Sequence, residues 1–111
     1  AAMWSPAVDI YEAGDEIVVK AEIPGIDRDD VAVEVKDGIL TLRGERKFEK
    51  EEKEENYHRI ERSYGTFVRS FALPSSVDAE KVHAALRDGV LEVKLSKKEI
   101  AKPRKVQVAV N

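Results

Sequence analysis

Side chains that could perform catalysis or hold a metal are few in this 111-residue sequence. His58 and His83 each lack a companion at metal-ligand spacing, and surface positions account for both. No cysteine occurs, which excludes disulfides, thiolate metal sites and a cysteine nucleophile. No serine lies in a Gly-x-Ser-x-Gly context, and the six glycines are scattered singly instead of forming a phosphate-binding loop. Paired carboxylates have no support beyond the abundance of glutamate, so we predict no enzyme, no catalytic residues, no metal site and no cofactor.

Charged residues make up 37% of the sequence, yet the net charge is only -3. Residues 1–44 carry 10 acidic and 4 basic groups, whereas residues 94–111 carry 1 acidic and 6 basic groups. This balance argues against a general nucleic-acid binder, and the basic tail has no interleaved aromatic residue to stack bases. No apolar run approaches the about 20 residues of a membrane helix, and the first residues do not resemble a signal peptide. We therefore expect a cytoplasmic protein without a membrane span.

Apolar residues alternate with polar ones in several short runs, which is the pattern of half-buried β-strands. The clearest runs start near Ile17, Val31 and Leu91, and turn sequences such as Asp37-Gly38 and Asp88-Gly89 separate them. Short strands at this spacing predict an all-β antiparallel sandwich. The segment from Val77 to Leu86 is ambiguous, and we expect one helical turn followed by a strand.

Residues 45–62 form an excursion that cannot belong to the core, because 13 of its 18 residues are charged. A solvated loop, helical in part through Glu49 and Lys53, is one interpretation. The second half mixes aromatic and β-branched residues with charges, which suits an edge strand that needs a partner. That candidate strand consists of Tyr57, His58, Arg59, Ile60, Glu61 and Arg62.

Three segments of the sequence form an ordered set of motifs: the opening Trp4-Ser5-Pro6, the later Phe71-Ala72-Leu73-Pro74, and Ala84-Ala85-Leu86-Arg87-Asp88-Gly89-Val90-Leu91. With these motifs the sequence resembles the small heat shock proteins of bacteria and plants along nearly its whole length. The last segment is the most specific, because it fits the A-x-x-x-n-G-V-L pattern of that family. The resemblance implies an immunoglobulin-like α-crystallin domain and an ATP-independent holdase that binds partly unfolded proteins and prevents their aggregation.

The resemblance also implies how such chains assemble. Residues 57–62 would be a strand exchanged into the neighbouring subunit, giving a homodimer and from it a higher homo-oligomer. A short motif in the C-terminal extension would dock in a groove of another dimer, and Val106-Gln107-Val108 is the candidate. Val108-Ala109-Val110 has the same spacing, so a shifted register stays open. The receiving groove would be lined by Val31, Val33, Val35, Val82, Ala84 and Leu86, which could equally fill the sandwich core.

Domain boundaries follow from these assignments: an α-crystallin domain at residues 1–96 and a C-terminal extension at residues 97–111. Members of the family carry a client-binding N-terminal arm, and this chain starts with Ala1 instead of Met. We therefore expect the arm to be missing, and a dimer with reduced holdase activity.

Two further expectations remain. The acidic residues flanking Val31 and the basic residues preceding Val106 predict tail docking that is electrostatically steered and weakened by salt.

The alternative function is a co-chaperone scaffold of the p23 or CS type, which shares the sandwich but lacks the exchanged-strand excursion and the tail motif.

Overall fold

Seven strands and one short 3-10 helix make up the structure, a computed structural model that describes residues 4–47, 65–99 and 106–110. The elements are β1 (Val8–Ala13), β2 (Glu16–Glu22), the 3-10 helix (Arg28–Asp30), β3 (Val31–Lys36), β4 (Ile39–Arg46), β5 (Gly65–Ala72), β6 (Val77–Arg87) and β7 (Val90–Lys97). The excursion that follows β4 lies largely outside the described residues.

The strands form two antiparallel sheets, with the order β1-β2-β7-β6 in one and β3-β4-β5 in the other. Short connections join β1 to β2, β3 to β4, and β6 to β7, whereas β2 pairs with the distant β7. The inner faces of the two sheets pack on one another, so the predicted immunoglobulin-like antiparallel sandwich is confirmed.

The core is built from the alternate residues that face inward from each sheet, as the period-2 pattern predicted. In β2 the inward residues Ile17, Val19 and Ala21 are buried, and in β4 Leu40 and Leu42 are fully buried. The remaining members of this core cluster are Ile23, Ile26, Phe67, Val77, Leu91, Val93 and Leu95.

Two Asp-Gly turns close the hairpins β3–β4 and β6–β7 with nearly the same backbone geometry. Asp37 and Gly38 have φ angles of 52° and 75°, and Asp88 and Gly89 have 53° and 76°. Positive φ at both central residues defines the type I′ turn, whose twist matches that of the flanking strands. Asparagine, aspartate and glycine tolerate this region best, so these dipeptides fix the register of one hairpin in each sheet.

The helical turn expected near residue 78 is absent from the described structure, and that prediction was wrong. Residues Val77–Arg87 form the single strand β6, with a register irregularity against β7 between Val77 and Val82. The Asp78 carboxylate accepts a hydrogen bond from the backbone N–H of Glu80 at 3.0 Å. The Asp78 side chain, which suggested the start of a helix, thus bonds locally within the strand. The bond lies in the segment where the pairing of β6 with β7 is interrupted, as in a β-bulge.

Gly44 faces inward in β4, where its missing side chain leaves room for the ring of Phe67 on β5. A Cβ placed at Gly44 would lie 2.7 Å from Cζ of Phe67 and would collide with Cε1 of the same ring. Phe67 is fully buried, so its ring has little freedom to move aside.

The segment before β1 is attached to the edge of β5. The backbone N–H of Trp4 donates to the Thr66 carbonyl at 3.0 Å, and the indole Nε1 donates to the Gly65 carbonyl at 3.0 Å. The Trp4 ring meets Phe67 edge-on, with ring centroids 5.3 Å apart, and the Arg46 guanidinium lies 4.1 Å from the Trp4 ring centroid. These contacts attach the chain's own N-terminal segment to the start of the free edge of β5, at Gly65 and Thr66.

Candidate functional site

The strands β3 and β6 are terminal strands of different sheets and approach one another on the same side of the sandwich. Each therefore presents one unpaired edge of backbone N–H and C=O groups on this side, within the described structure. Between two such edges the inner faces of the sheets come to the surface. We call this feature the β3–β6 groove; the six predicted lining residues belong to these two strands.

Alternation places three of the predicted lining residues on the inner side of β3. Val31, Val33 and Val35 are half-buried, whereas the intervening Ala32, Glu34 and Lys36 are exposed. Each of the three valines packs against the core cluster while keeping part of its surface in solvent. They therefore have core contacts and exposed apolar surface at once, and their role in docking stays a prediction.

The β6 side of the groove has a different profile. Val82 and Leu86 are half-buried and pack against the core, but Ala84 between them is exposed and lies outside the core cluster. Ala84 pairs with Val93, an inward-facing residue of β7, so its methyl group is on the inner side of the strand. A small exposed residue flanked by two larger ones makes a notch in the middle of this wall.

Acidic side chains outnumber the basic Arg28 and Lys36 on the β3 side of the groove. Asp27, Asp29, Glu34 and Asp37 are exposed, and the half-buried Asp30 forms an ion pair with Lys47 at 3.1 Å. The hydrogen bond to Asp30 and its negative charge raise the pKa of Lys47. The acidic character supports attraction of a basic segment, and the salt dependence of tail docking stays a prediction.

The tail valines are not brought to the groove within this single chain. Val106 is 77% exposed, Val108 is 85% exposed and Val110 is 97% exposed. Isolated valines at such exposure gain no burial from their own domain, so an apolar partner surface would have to come from elsewhere.

Other predicted positions are described only in part. Tyr57, His58, Arg59, Ile60, Glu61 and Arg62 lie outside the described residues, whereas His83 is exposed on β6. Among residues 4–47, 65–99 and 106–110, no group of three or more His, Cys, Asp and Glu side chains could hold a metal ion. Nor does this part of the chain contain a helix long and apolar enough to cross a membrane.

The sequence reasoning missed a second apolar cleft on the opposite side of the sandwich. It has a volume of about 290 Å³ and lies between β1 and the end of β5, with Ile10, Phe71 and Leu73 in its lining. Ile10 is 48% exposed, because β1 is the outermost strand of its sheet. Alternation of Val8 and Ile10 with Asp9 and Tyr11 was the available signal for this strand.

Comparison with known proteins identifies relatives along almost the whole chain. The model of the Hsp20/alpha crystallin family matches residues 9–109. Small heat shock protein C4 of Rickettsia felis is 41% identical over 105 residues, which are 95% of this chain and 64% of that protein. The 16.9 kDa class I heat shock protein 1 of Triticum aestivum is 45% identical over 104 residues, covering 93% of this chain and 69% of its own length.

A solved structure agrees with these relatives. The crystal structure of a small heat-shock protein from Xylella fastidiosa superposes with a TM-score of 0.83 at 44% sequence identity. The alignment covers 98% of this chain and all of that one. The overall fold is therefore shared with a protein of similar sequence.

Proposed function

The chain belongs to the Hsp20/alpha crystallin family, and on that premise we propose that it is an ATP-independent holdase that binds partly unfolded proteins and prevents their aggregation. The observation that carries this proposal is the β3–β6 groove, in which apolar side chains and unpaired strand edges lie together at the surface. Family membership favours this function over a p23 or CS-type scaffold.

A partly unfolded polypeptide offers what such a groove can bind. Extended segments present backbone hydrogen-bonding groups and alternate apolar side chains, which match an unpaired edge and a row of half-buried valines. The half-buried state of Val31, Val33 and Val35 leaves apolar surface to be covered without unfolding the domain. The highly charged remainder of the surface supports solubility of a loaded complex.

The tail supplies a competitor for the same groove. We propose that Val106 and Val108 of one dimer dock on the β3–β6 groove of another, which links dimers into larger assemblies and covers the groove. Burying each valine is worth about 1.5 to 3 kcal/mol before ordering costs, so the contact is weak and reversible. Its release would expose the groove to a client.

Dimer formation is proposed to use the strand at residues 57–62, with β1 of the neighbouring subunit as the acceptor. Trp4 donates hydrogen bonds to carbonyls at the start of β5, and the edges of β3 and β6 are proposed above to receive clients and tails. In the described structure this leaves the free edge of β1 without an assigned occupant, and we propose it as the acceptor of the exchanged strand. The acidic residues Asp9 and Glu12 on β1 complement the net positive charge of residues 57–62.

The hydrogen-bond pattern identifies which groups of β1 would receive that strand. The Ala7 carbonyl accepts from the backbone N–H of Glu22 at 3.0 Å, and bonded positions alternate along an antiparallel pair. Asp9 and Tyr11 therefore direct their backbone groups toward β2, while Ile10 directs its N–H toward the free edge.

Two changes should convert the proposed dimer into a monomer: deletion of residues 56–62, and Ile10→Pro. Proline lacks the N–H that Ile10 directs toward the free edge. Because this N–H points away from β2, the substitution removes no hydrogen bond between β1 and β2. Ile10→Thr is the matched control, because it keeps the N–H, and it should remain dimeric. Native mass spectrometry gives the subunit number, and circular dichroism verifies folding. Dimers that persist in both variants would contradict exchange onto β1.

Chaperone activity is tested directly by following the aggregation of a thermally unfolding model enzyme by light scattering, with no nucleotide present. We expect suppression that rises with the ratio of this chain to client and that does not change when ATP is added. A folded chain that leaves scattering unchanged at a severalfold excess over the client would overturn the proposed function.

A further inference from the structure

The tail carries three alternating valines, one more than a two-residue docking motif needs. Val106, Val108 and Val110 are separated by single residues, so an extended backbone places all three on the same side. Their side chains are exposed, and Val110 is the most exposed of the three at 97%. A two-valine contact would leave this third apolar side chain in water.

The β3–β6 groove has the length to accommodate all three. Its β3 wall spans from Val31 to Val35 and its β6 wall from Val82 to Leu86, which are four residue steps each. The tail from Val106 to Val110 also spans four steps, and each of these distances is about 13 Å in an extended chain. Three alternate side chains on each wall therefore match three on the tail.

We infer that Val110 is a third docking residue, and that residues 106–110 of one copy fill the β3–β6 groove of a second copy. This inference rests on the tail docking proposed above. Val108 takes the central position, where the exposed Ala84 leaves a notch between Val82 and Leu86. The acidic residues beside β3 and the basic Lys102, Arg104 and Lys105 preceding the valines support a tail as the occupant.

A peptide-binding experiment tests the role of Val110. The receptor is the full 111-residue chain carrying Val106→Ser, Val108→Ser and Val110→Ser, so that its own tail does not compete. The probe is a fluorescent peptide of residues 102–111, measured by anisotropy. We expect Val106→Ala, Val108→Ala and Val110→Ala each to weaken peptide binding at least tenfold. Gln107→Ala, which changes the other side of the extended peptide, should stay within twofold.

The possible results separate the inference from the proposal on which it rests. If Val110→Ala binds like the unchanged peptide while the other two valine variants are weakened, docking uses two valines and the inference is wrong. If Val106→Ala and Val110→Ala each lose only about twofold while Val108→Ala loses far more, two overlapping registers replace the single one. If the unchanged peptide does not bind, the proposed docking itself fails.

Native mass spectrometry of the full chain tests whether the groove belongs to a second copy. At chain concentrations high enough to populate assemblies larger than the expected dimer, Val110→Ser should shift these assemblies toward the dimer, to the same extent as Val106→Ser. An unchanged mass distribution, in a chain whose peptide binds the receptor, would place the tail on its own domain and overturn the two-copy arrangement.

Discussion

Replacing Ala84 with Leu is expected to weaken tail docking strongly while leaving the domain folded. Ala84 is exposed between the half-buried Val82 and Leu86, so a leucine there fills the notch in the β6 wall. Ala84 faces the inner side of β6 but lies outside the core cluster, so no core contact is lost. We expect affinity for the peptide of residues 102–111 to fall more than tenfold.

Ala85→Leu is the matched control for this experiment. Ala85 is also exposed and lies on the same strand, but it pairs with Glu92 on the outer face of the sheet. The same increase in side-chain volume should therefore leave peptide affinity and native mass unchanged. Equal peptide affinities of the Ala84→Leu and Ala85→Leu chains would show that the tail does not use the β3–β6 groove.

Gly44→Ala is expected to cause a large loss of stability. The new Cβ would meet the buried ring of Phe67, and it would also lie 3.2 Å from the Asp30 backbone carbonyl oxygen. Overpacking of this kind costs about 1 to 3 kcal/mol. Since a domain of this size is stable by only about 5 to 15 kcal/mol, thermal denaturation should show a clear fall in Tm.

Two comparisons separate the collision from other effects of the added methyl group. A Cβ added at Gly38 would meet no atom within 4 Å, but the backbone there has a φ of 75°. The loss of stability caused by Gly38→Ala therefore measures the backbone strain in the turn, without a collision. In a Phe67→Leu background the ring is absent, and Gly44→Ala should cost less than it does with Phe67 present. The same cost in both backgrounds would exclude the Phe67 collision as the cause.

Local patterns were enough to predict much of this fold. Alternation identified the inward residues of β2, β3 and β7, and Asp37-Gly38 and Asp88-Gly89 identified the hairpins. Each of these features depends on residues close together in the chain, where dihedral preferences and side-chain period act directly.

The features that the sequence did not predict depend on distant residues or on competing local bonds. Nothing near Gly44 indicates that Phe67 will lie against it, and nothing near Thr66 indicates that Trp4 will cover that edge. At Asp78 the carboxylate could have started a helix or bonded within a turn, and the second arrangement allowed β6 to continue. For the groove, alternation in the sequence identified the inward-facing side chains of β3. That β3 and β6 lie on the same side of the sandwich follows only from the order of the strands in the two sheets.

The attachment of Trp4 to β5 also determines which structural change the tryptophan fluorescence of this protein can detect. Trp4 is the single tryptophan of the chain, and its indole contacts Arg46, Phe67 and the Gly65 carbonyl. Its intrinsic emission therefore follows detachment of the N-terminal segment from β5. The β3–β6 groove lies at the other end of that sheet, since β3 and β5 flank β4 on opposite sides. Groove occupancy is thus spectroscopically silent at this tryptophan, and a label on the tail peptide is needed to follow it.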